Sequence, residues 1–427
     1  MPADNRNPDR EKGNTVAGSA ASAPSAPAPG PAGRTRNLVL ATSASVVCFW
    51  AWNSVATLGS FYTQNLHLNP GATGVLVAMP VFVGSLGRIV VGTLTDRYGG
   101  RAMFTFVLLA AIVPILLVSV GGLLNSYALV LGAGLILGVA GTVFAVGIPF
   151  VSAWYEPSRR GFATGVFGAG MGGTALAAFL NPRLVAWIGY FPTHLLIAGI
   201  LAAMAALVWV LMKESPGWTR NNAPVLPKLL DAAKTPVTWK MCFLYAVVFG
   251  GFVSFATYLP TYLRDVYSFD PSGAGARTAG FALAAVLARP VGGVLADKFG
   301  SRPVVLASLA GVAVLAWVVN LQPDGEVPAG LTFVAMAAAL GLGTGGVFAW
   351  VGVLAPPGKV GSISGVVSAA GGLGGYFPPL VMGATYDAAT HSYSIGLLLL
   401  VGTALVALAF TALVLRGPSK TLHVAKA

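Results

Sequence analysis

Two arginines, Arg88 and Arg289, stand in the middle of long apolar segments of this sequence. Arginine keeps its charge in proteins, and placing one in hydrocarbon costs at least ~2.5 kcal/mol. Neither apolar segment contains an aspartate or glutamate in its core that could neutralise the charge. An anion that binds and leaves is the simplest partner for both cations. The sequence therefore predicts an anion carrier.

The two arginines occupy equivalent positions in an internal repeat. The segment 84–101 recurs as 285–302, and its arginine, glycine and aspartate positions keep a constant offset of 201 residues. Arg88 precedes Asp96 by eight residues, which is ~12 Å of helix. If the aspartates mark helix ends, both guanidinium groups lie near the middle of a ~30 Å hydrocarbon core. The alternative is that each arginine pairs with helix carbonyls and braces the fold, but a matched pair favours binding.

Composition places the chain in a membrane. It has 427 residues, of which 56% are hydrophobic and 9% charged, whereas a soluble domain has about 25% charged residues. Most of the Lys and Arg residues lie in the tails and in alternate loops, while the opposite loops hold only Arg183, Arg264 and Arg277. This distribution predicts that both termini are cytoplasmic in the cell membrane. It also argues against a nucleic-acid partner for the net charge of +12.

Apolar stretches of about 20 residues predict an all-α membrane protein with twelve transmembrane helices. Their expected limits are 38–59, 71–95, 102–121, 127–152, 161–184, 191–212, 237–262, 278–296, 303–321, 329–353, 361–386 and 394–415. The repeat divides them into two six-helix bundles. The expected domains are a disordered cytoplasmic tail 1–36, a first bundle 37–212, a central cytoplasmic loop 213–236, a second bundle 237–416 and a cytoplasmic tail 417–427.

The loop Gly-x-x-x-Asp-Arg-x-Gly-x-Arg that ends at Arg101 resembles the signature of the major facilitator superfamily. A closer resemblance is to its nitrate/nitrite porter family. Gly-Ser-Leu-Gly-Arg88 in the second span and Ala-Arg289-Pro-Val-Gly-Gly in the eighth are similar to that family's motifs. The resemblance implies the major facilitator fold, with a small anion held between the two bundles.

Aromatic residues are expected to complete the anion site. Tyr245 and Phe249 lie four residues apart and therefore on one face of the seventh span, and the resemblance implies that they contact the anion. Phe49 and Phe144 are further candidates for the wall. In the fifth span the family usually has Asn where this chain has Met171, which cannot donate an amide hydrogen bond.

Two further groups of residues are assigned to movement of the bundles. Glycines in the fifth and eleventh spans predict close helix packing and sliding. They include Gly168, Gly170, Gly172, Gly371, Gly372 and Gly374. Charged residues at loop ends predict a gating latch between the halves, with loop solvation as the alternative. They are Asp96, Arg97, Arg101, Asp297, Lys298 and Arg302.

The combined hypothesis is a monomeric secondary transporter of nitrate and nitrite, serving nitrate assimilation, with no catalytic site, metal or other cofactor. A planar guanidinium can bond a flat oxyanion with two donors. Carboxylates and histidines are missing from the span cores, which favours nitrate/nitrite antiport over a proton relay. Proton-coupled nitrate symport, or exchange of formate- or oxalate-sized carboxylates, stays open.

Overall fold

The computed structural model describes residues 31–156, 159–216, 218–220, 225–323, 325–356 and 359–415. Within these ranges the chain is helical, and one isolated bridge between Asp387 and Ser392 is the only β pairing. The predicted tail 1–36 lies outside the described residues up to position 30, and the tail 417–427 lies outside them entirely.

Twelve spans are present in the described residues. The first span is Pro31–Trp52 with two short continuations, Ser54–Thr57 and Gly59–Asn65. The next five are Pro70–Tyr98, Gly100–Leu123, Tyr127–Trp154, Arg160–Ile188 (with a 3-10 turn at Ala169–Gly172) and Tyr190–Leu211. The last six are Pro236–Tyr267, Pro271–Phe299, Ser301–Asn320, Glu326–Leu354, Val360–Ala384 and Ser394–Leu413.

Ten of these spans are long and apolar enough to cross a membrane on length and composition alone. The other two are the first span, which starts with charged residues and is interrupted at Asn53 and Leu58, and the glycine-rich eleventh span. Inside the stretch expected as the central loop, the linker helix Val225–Ala233 forms. The first span begins at Pro31 and the seventh runs to Tyr267, because polar residues can continue a helix beyond the hydrocarbon.

The second and eighth spans have the same ends, which fixes the depth of their arginines. The Asn69 side chain accepts a hydrogen bond from the backbone of Ala72, and the Asp270 side chain caps the eighth span in the same way. A proline follows each cap, at the position where a missing N–H costs least. At the other end, Gly99 and Gly300 adopt φ of 87° and 92°, which only glycine adopts without strain. Equivalent start and stop signals thus give the two helices equal length.

We call the ends of the spans near Gly99 and Gly300 the loop side. We call the opposite ends the far side. On the far side the two halves touch backbone to backbone. A side chain added at Gly74 would overlap Pro379, and one added at Gly275 would overlap Ala178. Small residues permit this approach, and the halves are therefore closed against each other on the far side.

Candidate functional site

Arg88 is buried between the two halves, with 4% of its surface exposed. Its Nη1 donates to the backbone oxygen of Ser368 at 3.0 Å and to Ser368 Oγ at 3.3 Å, across to the eleventh span. Its Nε donates to the backbone oxygen of Gly141 at 3.4 Å in the fourth span. These bonds leave Nη2, with its two N–H donors, without a partner among the described residues.

Arg289 lies opposite and is half-buried. Its Nη2 donates to the Tyr245 hydroxyl at 3.2 Å, within its own half. Its Nη1 donates to Met171 Sδ at 3.2 Å, across to the fifth span. A thioether sulfur is a weak acceptor, so this donor is held by a partner that an anion can displace.

Both guanidinium groups face the same two phenylalanine rings. Arg88 lies 5.9 Å from the Phe144 centroid and 5.7 Å from that of Phe249. Arg289 lies 5.2 Å and 5.9 Å from the same centroids. Phe144 belongs to the first half and Phe249 to the second, so the two cations and the two rings form one site at the interface. Ring faces are electron-rich and stabilise the cations partially.

The remaining predicted aromatic residues lie at different distances from this site. Tyr245 stacks on Phe249 with centroids 4.9 Å apart. Phe49 packs edge to face against Phe144, with 6.4 Å between the ring centroids. Phe348 in the tenth span lies 5.5 Å from Arg289 and packs against Tyr245. It completes the wall on the side of Arg289.

Sequence reasoning missed Phe348 and Ser368. A phenylalanine in an apolar helix carries no signal of its own, so nothing in the sequence separated Phe348 from packing residues. Ser368 is the first residue of the glycine-rich run of the eleventh span. A polar residue at the depth of Arg88 was the feature of the sequence that could have identified it as part of the site. Met171 was noted for the amide it lacks, whereas its contact with Arg289 comes from the structure.

Among the described residues, the two arginines are not balanced by a carboxylate. In the described part of the chain, neither Arg88 nor Arg289 forms an ion pair with Asp or Glu, and no group of three metal-ligating side chains occurs. An unpaired buried charge is strongly unfavourable. The arrangement therefore suits a negatively charged ligand between the two guanidinium groups.

The six charged residues assigned to gating lie at the loop-side ends of the spans. Arg101 lies 4.4 Å over the Trp209 ring in the sixth span, and Arg302 donates to the backbone of Ala412 at 2.7 Å in the twelfth. Each therefore contacts the last span of its own half. Asp96, Arg97, Asp297 and Lys298 are exposed helix-end residues. Their role as a latch stays a prediction.

Glu214, just beyond the sixth span, caps the third span. Its side chain accepts a hydrogen bond from the backbone N–H of Arg101 at 2.7 Å. Burial raises the pKa of this carboxyl, while the hydrogen bonds and the charge of Arg101 oppose the increase. The helix end is thereby fastened to the start of the central linker.

The glycines assigned to packing divide into two groups. A side chain at Gly371 would overlap Tyr245, one at Gly372 would overlap Ser85, and one at Gly374 would overlap the backbone of Ala246. Gly170 lies in the same way against Ser45. Gly168 and Gly172, by contrast, have no neighbour within 4 Å. Their use as sliding surfaces stays a prediction.

The site is closed from the far side. The hydrogen bonds of the two arginines cross the interface to Ser368 and to Met171. Beyond that level Gly165 and Gly365 have open space where a side chain would be. The closed far side and this open space predict that the arginines are reached from the loop side.

Comparison with known proteins identifies the family. The sequence-family model of the Major Facilitator Superfamily matches residues 41–276 and 242–427 of this chain. The chain is 59% identical over 386 residues to the probable nitrate/nitrite transporter NarK2 of Mycobacterium tuberculosis, covering 90% of this chain and 98% of the relative. It is 34% identical to the nitrite extrusion protein of Bacillus subtilis, covering 86% and 91%.

A solved structure shares the fold. The inward-facing, occupied structure of a bacterial homolog of the human lysosomal transporter Spinster superposes with a TM-score of 0.68 at 15% identity, covering 91% of this chain and 98% of that one. The relatives and the fold are those of transporters, so this membrane protein is a transporter and not an enzyme. The chain belongs to the major facilitator superfamily and, within it, to the nitrate/nitrite porter family.

Proposed function

We propose that this protein exchanges nitrate for nitrite across the cell membrane by alternating access. The observation that carries the proposal is the pair Arg88 and Arg289, one from each half, which face the same two rings. Among the described residues, neither arginine forms an ion pair with a carboxylate. The loop side is the cytoplasmic side in this proposal, and both termini are cytoplasmic. One chain suffices, since both arginines belong to it.

The geometry supports a small flat oxyanion. Guanidinium groups bond planar oxyanions with two parallel N–H donors. Arg88 Nη2 is free among the described residues, and Arg289 Nη1 is held only by the Met171 sulfur. The names of the relatives in Mycobacterium tuberculosis and Bacillus subtilis point to nitrate and nitrite. Formate- or oxalate-sized carboxylates, which also accept two parallel N–H donors, are the competing substrates.

The charges at the site support exchange. Without an anion, two like charges face each other across the interface and resist closure of the site from both sides. An anion between them removes that repulsion, so the loaded carrier changes conformation more readily than the empty one. Proton-coupled symport would need a proton acceptor, and the titratable hydroxyl at this site is that of Tyr245.

Counterflow in proteoliposomes tests exchange directly. Vesicles loaded with nitrite are expected to accumulate labelled nitrate without a pH gradient, and vesicles without internal anion are expected to accumulate little. Loading with formate or oxalate measures the competing substrates. Uptake that requires a pH gradient and ignores internal nitrite would establish symport instead.

A further inference from the structure

A small cavity lies beside Arg289, in the surface that the second half turns toward the first. It offers about 10 Å³ to the centre of a water-sized sphere, which is room for roughly one small group. Of the described residues that line it, Met171 alone belongs to the first half. The remaining walls come from the second half and include Phe252, Val286 and Thr344. We call this space the Arg289 recess.

Met171 holds a donor of Arg289 that a bound anion would use. Arg289 Nη1 donates to Met171 Sδ at 3.2 Å, and a thioether sulfur is a weak acceptor. An oxyanion accepts from a guanidinium much more strongly, because that bond joins opposite charges. An anion oxygen that takes this N–H displaces the sulfur, so one of the two side chains has to move.

The guanidinium of Arg289 is held in place by its own half. Its Nη2 donates to the Tyr245 hydroxyl at 3.2 Å, and the group lies 5.5 Å from the centroid of the Phe348 ring. A methionine side chain, by contrast, is unbranched and turns about three single bonds. Met171 is therefore the side chain that gives way.

The backbone of Met171 is fixed, so only its side chain is free to move. The residue lies in the 3-10 turn Ala169–Gly172 of the fifth span, and its backbone oxygen accepts a hydrogen bond from the Thr174 hydroxyl at 2.7 Å. The turn is packed closely on the first span, because a side chain at Gly173 would overlap the backbone of Val46. The turn cannot retreat in that direction, which leaves the adjacent recess for the displaced thioether.

The recess suits a thioether better than it suits water. The Thr344 hydroxyl in its wall already donates to the backbone oxygen of Leu340 at 2.7 Å, and a buried water needs several polar partners. The Phe252 ring is the kind of wall against which a methionine sulfur packs favourably. The recess therefore offers Met171 an apolar position once an anion has taken its donor.

We propose that Met171 is a displaceable partner of Arg289, whose thioether leaves Nη1 and enters the Arg289 recess when an oxyanion binds. This rests on the proposed function of the arginine site. Met171 is then a positioning residue for anion binding: it occupies the donor in the empty site and releases it to the anion. Because Met171 belongs to the first half and the recess to the second, the loaded site also gains an apolar contact between the halves.

Methyl NMR follows the displacement directly. The protein is labelled at the methyl groups of its nine methionines, and the Met171 signal is the one missing from Met171→Ala. Saturating nitrate is expected to shift this signal, because the methyl group moves against the Phe252 ring. Phe252→Leu, which removes the ring, should abolish most of that shift while nitrate still binds.

Filling the recess tests whether binding depends on it. Val286→Ile adds one methyl group to the wall, and we expect nitrate affinity, measured by calorimetry, to fall at least about fivefold, because overpacking a filled space is unfavourable. Met171→Ala alone should stay within about threefold of wild type, since only a weak acceptor is lost. The double variant Val286→Ile with Met171→Ala should bind nitrate as Met171→Ala does, because no thioether then needs the space.

Val312→Ile is the matched control, because it adds the same methyl group at a buried position of the ninth span that does not line the recess. A Met171 signal that nitrate leaves in place would overturn the proposal. A loss of affinity in Val286→Ile that persists without the Met171 side chain would also overturn it, because the added methyl group would then act on Arg289 itself. Either result together with normal nitrite counterflow leaves the exchange mechanism intact. A shifted Met171 signal in protein that fails counterflow overturns only exchange.

Discussion

The site geometry requires the planar guanidinium of Arg88, with its several N–H donors, rather than its positive charge alone. Arg88→Lys keeps the positive charge but removes both the paired donors and the simultaneous bonds to Ser368 and Gly141. We expect nitrate affinity to fall at least tenfold in Arg88→Lys and in Arg289→Lys, because Lys is a point charge and cannot bond an oxyanion bidentately. Calorimetry on the purified variants measures the change.

Arg183→Lys serves as the control, since Arg183 lies near the end of the fifth span and bonds to its own helix at Phe179. Nitrate affinities close to wild type in both site variants would show that the recognition is purely electrostatic.

Met171 is expected to influence which anion is preferred. Its sulfur accepts a hydrogen bond from Arg289 but offers no donor to an anion. Met171→Asn adds an amide donor at the same place, and we expect it to bind nitrate about fivefold more tightly, as one modest hydrogen bond would. Competition between nitrate and nitrite for binding shows whether the preference also moves. Met171→Leu, which removes only the weak acceptor, should stay within about threefold of wild type.

The sequence predicted the charged residues of the site better than the apolar ones. Arg88 and Arg289 stand out because a charge in an apolar helix is expensive, and the structure brings them together with Phe144, Phe249 and Tyr245. Phe348 was missed because its role depends on which way the tenth span faces. That orientation is set by packing between helices and leaves no trace at a single apolar position.

At the scale of helices, the eleventh span is shaped to leave room for the site. A side chain at Gly371 would overlap the Tyr245 ring and lie within 3.1 Å of Phe249. We expect Gly371→Ala to reduce nitrate flux at least tenfold, because Tyr245 must move away from Arg289 to admit the methyl group. Flux in proteoliposomes and thermal unfolding of the purified variant are the measurements.

Gly402→Ala is the matched control, since Gly402 is also in a transmembrane helix but has no neighbour within 4 Å. Alanine is intrinsically the better helix former, so this control should fold at least as well as wild type. Normal flux in Gly371→Ala would mean that the stack of Tyr245 on Phe249 tolerates displacement.

The number and order of the spans followed from hydropathy and from the repeat, but their ends did not. Hydropathy predicted the seventh span to end at 262, whereas the helix continues to Tyr267. The signals Asn69-Pro70 and Asp270-Pro271 were present in the sequence and would have placed two helix starts correctly. Interruptions such as that at Asn53 depend on contacts with other spans and could not be read from one segment.

For the whole molecule, the open loop side and the closed far side predict unequal access to reagents. In a background with Cys48 and Cys242 replaced by alanine, Gly365→Cys is expected to react with a membrane-impermeant thiol reagent, because nothing lies within 4 Å of that position. Thr257→Cys, buried on the far side, is expected to react at least tenfold more slowly.

Mass spectrometry of the labelled protein measures both rates. Saturating nitrate should slow labelling at position 365 if the anion lets the loop side close. Faster labelling at position 257 than at 365 would show that the resting protein is open on the opposite side.

The linker between the halves is fastened at both of its ends. On one side Glu214 bonds to Arg101, and Ser215 donates to the backbone of Ala153 at 2.7 Å. On the other side Asp231 in the linker helix pairs with Lys359 at 2.8 Å, and Trp239 donates to Ala233. Nine residues, 216–224, separate Ser215 from the linker helix that begins at Val225, and a chain of that length spans ~30 Å at most when fully extended. Chain length thus sets an outer limit on how far the halves can part, while leaving ample slack for a rocking motion of several ångströms.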